Sequence, residues 1–274
     1  PENDRRSYRC REVQEGYGML IQALCQYYDM NTEEVSDGVP KYFENVEISH
    51  KIFLTPEGKI SSIQDIREKV GIDGKKKPVV RKKTFILPMR SQKPGIDLNI
   101  AEHRPLYIFG LNYDKKSDSF TPEDNTNKAK KSHECFVNGN LEFCEGLDSP
   151  IINAFREFLI NWNPADETEN PHLKAISKDY STASYCFALE GRPDILLNND
   201  VLLKKKYTEY AESKESGSQS GKTLFMCPIE GKMLPVSKIH NKIKKGIRGG
   251  NATGMTLVGY NAESFESYRK EQSY

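Results

Sequence analysis

Two stretches of the sequence contain many basic residues and no acidic residue, a composition typical of a surface that binds a polyanion. Residues 74–96 contain eight lysines and arginines, and residues 231–262 contain six. Because the whole chain has 40 basic and 39 acidic residues, the other segments are net acidic and the positive charge is segregated. Two solvated surface loops are the alternative interpretation. The candidate nucleic-acid contacts are Lys75, Lys76, Lys77, Arg81, Lys82, Lys83, Lys242, Lys244, Lys245 and Arg248.

The second basic stretch contains a glycine-rich loop with groups suited to contact nucleic acid. From Lys245 to Gly254 the sequence reads KGIRGGNATG. Glycine has no Cβ, so the backbone can pass close to a ligand. Arginine can pair with phosphate or guanine, and Asn and Thr can contact groove edges or the sugar-phosphate chain. The candidate readers of a base sequence are Arg248, Gly249, Gly250, Asn251 and Thr253, and an ordinary surface loop is the alternative.

Enzymatic chemistry has weaker support. Asp194, followed later by Glu230-Gly231-Lys232, resembles a nuclease pattern in which carboxylates hold Mg²⁺ and a lysine positions water, but a chain with 39 acidic residues gives such matches by chance. The segment 217–223 lacks the glycine spacing of a phosphate-binding loop. The six cysteines include no CxxC pair and the five histidines are dispersed. The sequence therefore predicts no catalytic residue, no metal and no cofactor.

The composition also excludes two broad classes of protein. No uninterrupted apolar run approaches the length of a membrane-spanning helix. Aromatic residues make up 10% of the chain, which is more than a disordered sequence contains. We therefore expect a soluble, folded, cytoplasmic protein whose thiols stay reduced.

The elements that must position these residues are short strands and helices, which predict an α+β fold: a mixed sheet and hairpins with packing helices, in two lobes. Alternation over 46–54, a turn, and a return over 60–63 predict a hairpin with His50 as a hydrogen-bonded core residue. Ser149-Pro150 and Asp200 are predicted to begin helices. Further expectations are helices at 65–70 and 236–245 and strands at 85–87, 106–111, 185–189, 223–226 and 255–260.

Shifts in composition divide the chain into four segments. Residues 1–18 are polar and charged and precede Met19, so we expect an extension or tag there. Residues 19–212 are expected to form an N-terminal α+β lobe. The Ser/Gly-rich segment 213–221 predicts a flexible linker, and residues 222–274 predict a basic subdomain that carries the glycine loop.

Several segments, in unbroken order, resemble the large subunit of the type I-C CRISPR Cascade, the Csd family. The resemblance runs from about Met19 to the end of the chain, and because members of that family are longer, it implies an N-terminal fragment. The segments that carry it are MLIQALCQYYDM, VPKYF, KKKPVVRKK, RSQKPGIDLN, LYIFGLNYDK, ECFVNGNLEFCEGLDSPIINAFREFLINWNP, FALEGRPDILLNND and CPIEGKMLPVSKIHNKIKKGIRGGNATGMTLVGYNAESFESY.

The resemblance implies a non-enzymatic role in a crRNA-guided complex. Such subunits recognise the protospacer-adjacent motif (PAM) in double-stranded DNA and contact the region of the crRNA 5′ handle. The implied partners are crRNA, target DNA, the handle-binding and backbone subunits of Cascade, and a trans-acting helicase-nuclease, in a prokaryotic cytoplasm without a membrane. The clustered lysines would grip the phosphate backbone and the glycine loop would read the PAM. The alternatives are a metal-dependent nuclease that uses Asp194, Glu230 and Lys232, and a pure scaffold subunit.

Overall fold

A computed structural model describes residue 23 and residues 38–72, 78–90, 95–122, 126–217, 224–226, 232–235, 242–243 and 255–256. The chain divides into a main unit, Val39–Gly217, and a second unit formed by residues 1–38 and 218–274. The strands of the main unit are β1 (Phe43–Ile48), β2 (His50–Leu54), β3 (Ile60–Asp65), β4 (Glu68–Ile72), β5 (Pro78–Arg81), β6 (Lys83–Pro88), β7 (Asn112–Asp114), β8 (Ser119–Thr121), β9 (Tyr185–Leu189) and β10 (Arg192–Leu196). Its helices are α1 (Pro105–Phe109), α2 (Lys128–Cys144), α3 (Pro150–Asn161), α4 (Pro171–Ala175), α5 (Ser177–Tyr180) and α6 (Val201–Gly217), with a 3₁₀ turn at Leu197–Asn199. This is an α+β fold, as the sequence predicts.

A four-stranded sheet in the order β10-β9-β2-β3 forms the centre of the main unit. Strands β2 and β3 form the predicted antiparallel hairpin, in which Ile52 lies opposite Ile63. On its other side β2 pairs in parallel with β9, where Ile52 lies opposite Phe187. The first four residues of β9 are all buried, which is expected of a central strand covered on both faces. Smaller two-stranded sheets, among them β1-β6 and β4-β5, accompany this sheet.

Helix α3 packs on this sheet, and local sequence explains both its start and its buried face. The hydroxyl of Ser149 accepts a hydrogen bond from the backbone N–H of Ile152 at 3.3 Å, and Pro150 occupies the first turn, where it costs no hydrogen bond. Phe155 and Phe158 stack against Phe187, with ring centroids 4.9 and 5.5 Å apart. The predicted helix and its apolar stripe are confirmed.

Helix α6 begins as predicted but continues further. The carboxylate of Asp200 accepts the backbone N–H of Leu203 at 3.0 Å, and Leu203 and Tyr207 are buried. The helix ends at Gly217, so the first five residues of the predicted linker 213–221 are helical. The charged residues Glu212, Lys214 and Glu215 favour helix over coil, which overrides the serines and glycine among them. Residues 218–221 lie outside the described residues.

Two further predictions of secondary structure are wrong. Residues 106–111, predicted as a strand, contain helix α1, which has Pro105 in its first turn and Gly110 in the left-handed conformation at its end. Proline at the start and glycine at the end favour a helix even in one so short. Residues 65–70, predicted as a helix, contain β4, because Glu68 to Ile72 pair with β5, a partner that no local pattern reveals.

The second unit contains four short strands among the residues described there. Strands β11 (Leu224–Met226) and β12 (Met233–Pro235) pair antiparallel, as do β13 (Lys242–Ile243) and β14 (Met255–Thr256). Residues 242–243 are therefore extended, although the sequence predicts a helix over 236–245. The predicted strands at 223–226 and 255–260 are present over their described residues. Across the described part of both units, no helix is long and apolar enough to cross a membrane.

Candidate nucleic-acid interface

The first basic stretch is built around a two-stranded ribbon formed by β4 and β5. Glu68 lies opposite Arg81, Lys69 opposite Val80, and Ile72 opposite Pro78. The ribbon is exposed where its side chains are described, and Val80 retains 45% of its accessible surface. The residues that join the two strands include Lys75, Lys76 and Lys77, which lie outside the described residues. Three consecutive lysines thus belong to the segment that joins the strands of an exposed ribbon.

The fold brings an acidic residue close to the first basic stretch, although residues 74–96 themselves contain none. Glu68 lies across the ribbon from Arg81, and its Oε1 is 3.0 Å from Nζ of Lys83. Both side chains of the ion pair are about half exposed, so the pair contributes little to stability. It nevertheless reduces the positive potential at the base of the ribbon. The uniformly cationic surface predicted from the sequence is therefore not present around Arg81 and Lys83.

Lys82 has a structural role that the sequence does not predict. Its Nζ donates to the carbonyl oxygen of Thr182 at 3.0 Å and to Oγ of Ser184 at 3.2 Å. The Ser184 hydroxyl in turn donates to the carbonyl oxygen of Glu47 at 2.6 Å. Lys82 therefore ties the start of β6 to the segment that enters β9. The DNA contact predicted for Lys82 stays a prediction beside this structural role.

The remaining predicted contacts lie beyond what the structure describes. The backbone of Lys242 is in β13, but its side chain is outside the described residues. The others outside the described residues are Lys244, Lys245, Arg248, Gly249, Gly250, Asn251 and Thr253. The structure therefore neither brings the two basic stretches together nor separates them.

The predicted nuclease residues do not form a described site. Asp194 lies in β10, and Arg192 binds its two carboxylate oxygens at 3.2 and 3.1 Å. The hydrogen bonds from Arg192 hold the pKa of Asp194 below its usual value. Glu230 lies outside the described residues, and Lys232 is an exposed residue of the second unit.

A different polar cluster lies at one end of the central sheet, and the sequence gives no local signal for it. A ring nitrogen of His50 and one carboxylate oxygen each of Asp65 and Asp179 lie within 4.8 Å of one another, a spacing compatible with a metal ion. Arg67 bridges the two carboxylates, with Nη2 at 2.6 Å from Asp65 and 2.5 Å from Asp179. His50 is buried and hydrogen-bonded, as predicted, but it is also part of this group.

Comparison with known proteins relates almost the whole chain to one family. A family model described as CRISPR-associated protein (Cas_Csd1) matches residues 24–274. No curated protein matches the chain. The matched range includes the whole main unit and the part of the second unit that carries the basic glycine loop.

Proposed function

The chain belongs to the family of CRISPR-associated proteins described as Cas_Csd1, and from this we propose that it is the large subunit of a type I-C Cascade complex. In this proposal it recognises the PAM in double-stranded DNA and contacts the region of the crRNA 5′ handle. Its partners are crRNA, target DNA, the handle-binding and backbone subunits, and a trans-acting helicase-nuclease. The chain itself carries out no catalysis.

The observation that supports this proposal most is the exposed β4-β5 ribbon joined by a lysine-rich segment. The major groove of B-form DNA is wide enough to admit a two-stranded ribbon. Lysines at the connection between the strands would bind phosphates as such a ribbon approaches the duplex, and their contribution would weaken with salt through counterion release. We assign Lys75, Lys76 and Lys77 to the phosphate backbone, and the glycine loop with Arg248 and Asn251 to the PAM bases.

The first test replaces Lys75, Lys76 and Lys77 together with alanine. Binding to duplex DNA of any sequence is expected to weaken about ten-fold or more at moderate salt, and the slope of log K against log salt should fall by about 0.9 for each phosphate that the variant no longer neutralises. Fluorescence anisotropy across a salt series measures both quantities. The matched control removes Lys115, Lys116 and Lys130, which are equally charged and exposed on other elements.

Glu68→Gln is expected to change duplex binding in the opposite direction in the same experiment. It removes the acid that faces Arg81 and Lys83, so duplex binding should strengthen and the salt slope should steepen if the ribbon is the interface. Unchanged binding in both the triple variant and Glu68→Gln would contradict the assignment of the ribbon to DNA. Failure of the unaltered chain to bind DNA at low salt would favour the scaffold interpretation.

A second test concerns sequence discrimination by Arg248. Selection from a duplex library with a randomised short segment would identify the preferred motif. Arg248→Ala should then reduce the preference for that motif over random sequence by about ten-fold, because an arginine bound bidentately to guanine supplies discrimination of that order. Lys238→Ala, in the same basic stretch, should weaken binding evenly across sequences. An equally even loss for Arg248→Ala would assign Arg248 to the backbone, not to the PAM.

A further inference from the structure

The polar cluster around His50 is made by three neighbouring strands and one helix. Strand registration places His50 of β2 opposite Asp65 of β3 on one side and opposite Tyr185 of β9 on the other. Directly opposed residues in a sheet project from the same face. The three side chains therefore form a row across the end of the sheet. Asp179, which lies in helix α5 and not in the sheet, is adjacent to this row.

The hydrogen bonds of Ser49 hold the ring of His50 in place. The Ser49 hydroxyl donates its single hydrogen to the carbonyl oxygen of Ser184 at 3.0 Å, and its oxygen accepts the backbone N–H of Ser184 at 2.9 Å. Nδ1 of His50 is 2.9 Å from the same oxygen. This hydrogen bond fixes the orientation of the imidazole, as in metal-binding histidines.

The charge and the exposure of the carboxylates allow a cation to reach this cluster. Asp65, Asp179 and Arg67 together carry a net negative charge, and the two carboxylates are each close to half exposed, so a cation can reach them from solvent.

An independent observation in the same row points to a ligand. The side chain of Tyr185 is fully buried, and its hydroxyl has no hydrogen-bond partner among the described residues. A buried hydroxyl without a partner is costly. Its ring lies 5.6 Å from the His50 ring, on the same face of the sheet.

We propose that His50, Asp65 and Asp179 bind a divalent transition-metal cation in exchange for the guanidinium of Arg67. Nη2 of Arg67 lies where the two carboxylates converge, which is the position a shared cation would take. The Arg67 side chain is one-quarter exposed, so it can move into solvent when the metal binds. One imidazole and two carboxylates suit Mn²⁺ and Fe²⁺ as well as Zn²⁺.

The Tyr185 hydroxyl would donate to a metal-bound water. The ion would fasten β2, β3 and α5 together, a role independent of nucleic-acid binding.

The test titrates the full chain with Mn²⁺ and follows free Mn²⁺ by electron paramagnetic resonance. Mn²⁺ is the better probe because the six cysteines would also attract Zn²⁺. Arg67→Gln removes the competing cation and should tighten binding by roughly ten-fold. Asp179→Asn, at a partly exposed position, should weaken it by about ten-fold or more, and His50→Gln should do the same where the variant folds.

Asp194→Asn is the matched control, since Asp194 also pairs with an arginine but has no histidine beside it. It should leave Mn²⁺ affinity unchanged. Two results would overturn the proposal: no Mn²⁺ binding by the unaltered chain or by Arg67→Gln, or binding that Asp179→Asn leaves intact. Circular dichroism of each variant shows whether a lost signal reflects unfolding. Asp179→Asn with native circular dichroism and unchanged Mn²⁺ affinity refutes the proposal whatever happens to His50→Gln.

Discussion

Replacing Gly58 with alanine is expected to lower the free energy of unfolding of the main unit by about 4 kcal/mol. Gly58 closes the β2-β3 turn with φ +77°, in the left-handed region that an L-residue adopts at a cost. The turn also lies directly on helix α3. An added Cβ would be 2.6 Å from Cβ of Glu157 and closer still to backbone atoms of Glu157 and Phe158. Because those are mainly backbone atoms, the turn itself would have to move.

Gly191→Ala separates the two causes of this loss. Gly191 has a similar φ of +71°, but no atom lies within 4 Å of a Cβ placed there. The free energy of unfolding of this variant should fall only by the cost of the left-handed conformation for alanine, about 1 kcal/mol. Urea unfolding followed by fluorescence measures both, since Trp162 is the single tryptophan and is buried in the main unit. Equal losses in the two variants would show that the turn is not packed on α3 as described.

Glu102→Gln is expected to be the second severe substitution, with a loss of about 3 kcal/mol. The Glu102 side chain is completely buried and accepts five hydrogen bonds. Two of them come from the guanidinium of Arg104 at 2.9 and 2.5 Å, and two from the backbone N–H groups of His103 and Arg104. Glutamine keeps the shape but leaves the half-buried guanidinium of Arg104 without its counter-charge.

The loop that Glu102 orders also holds the start of β9, because the backbone N–H of Tyr185 donates to the carbonyl oxygen of His103 at 2.9 Å. Asp194→Asn is again the matched control, since its carboxylate pairs with Arg192 on the surface and should leave stability unchanged. Urea unfolding at pH 7 measures both variants. A loss for Glu102→Gln no larger than for Asp194→Asn would contradict a buried charge at position 102.

The pH dependence of stability supplies a second readout for Glu102. Burial alone would raise its pKa, but the hydrogen bonds and charge of Arg104 lower it overall. A carboxyl whose pKa is lower in the folded state stabilises at neutral pH, and this contribution is lost as the pH falls through the folded pKa. Burial also lowers the pKa of His103 to about 4, so that residue opposes folding increasingly as the pH falls from about 6.5 to about 4. Glu102→Gln removes the contribution of the carboxyl, so the stability curve should flatten in the acidic range where a carboxyl titrates, while the loss caused by His103 at higher pH remains.

Features that depend on near neighbours in the chain could be predicted from the sequence. The β2-β3 hairpin follows from alternation of apolar residues around a Pro/Gly turn, and α3 and α6 begin at Ser149 and Asp200 because these side chains accept backbone N–H groups three residues away. The α+β class follows from such elements. The family resemblance, carried by collinear segments, agrees with the Cas_Csd1 match.

Contacts between distant segments were decided by the tertiary structure. The absence of acids in residues 74–96 predicts a uniformly positive surface, but strand pairing brings Glu68 opposite Arg81 and close to Lys83. Lys82, for which the sequence predicts only a DNA contact, also binds the segment before β9. The row of His50, Asp65 and Tyr185 exists only because the register of two strand pairs places these residues side by side. Local sequence determines where an element begins and which of its faces is apolar, whereas register and packing determine which charges become neighbours, because electrostatic energy depends on distance in space and not along the chain.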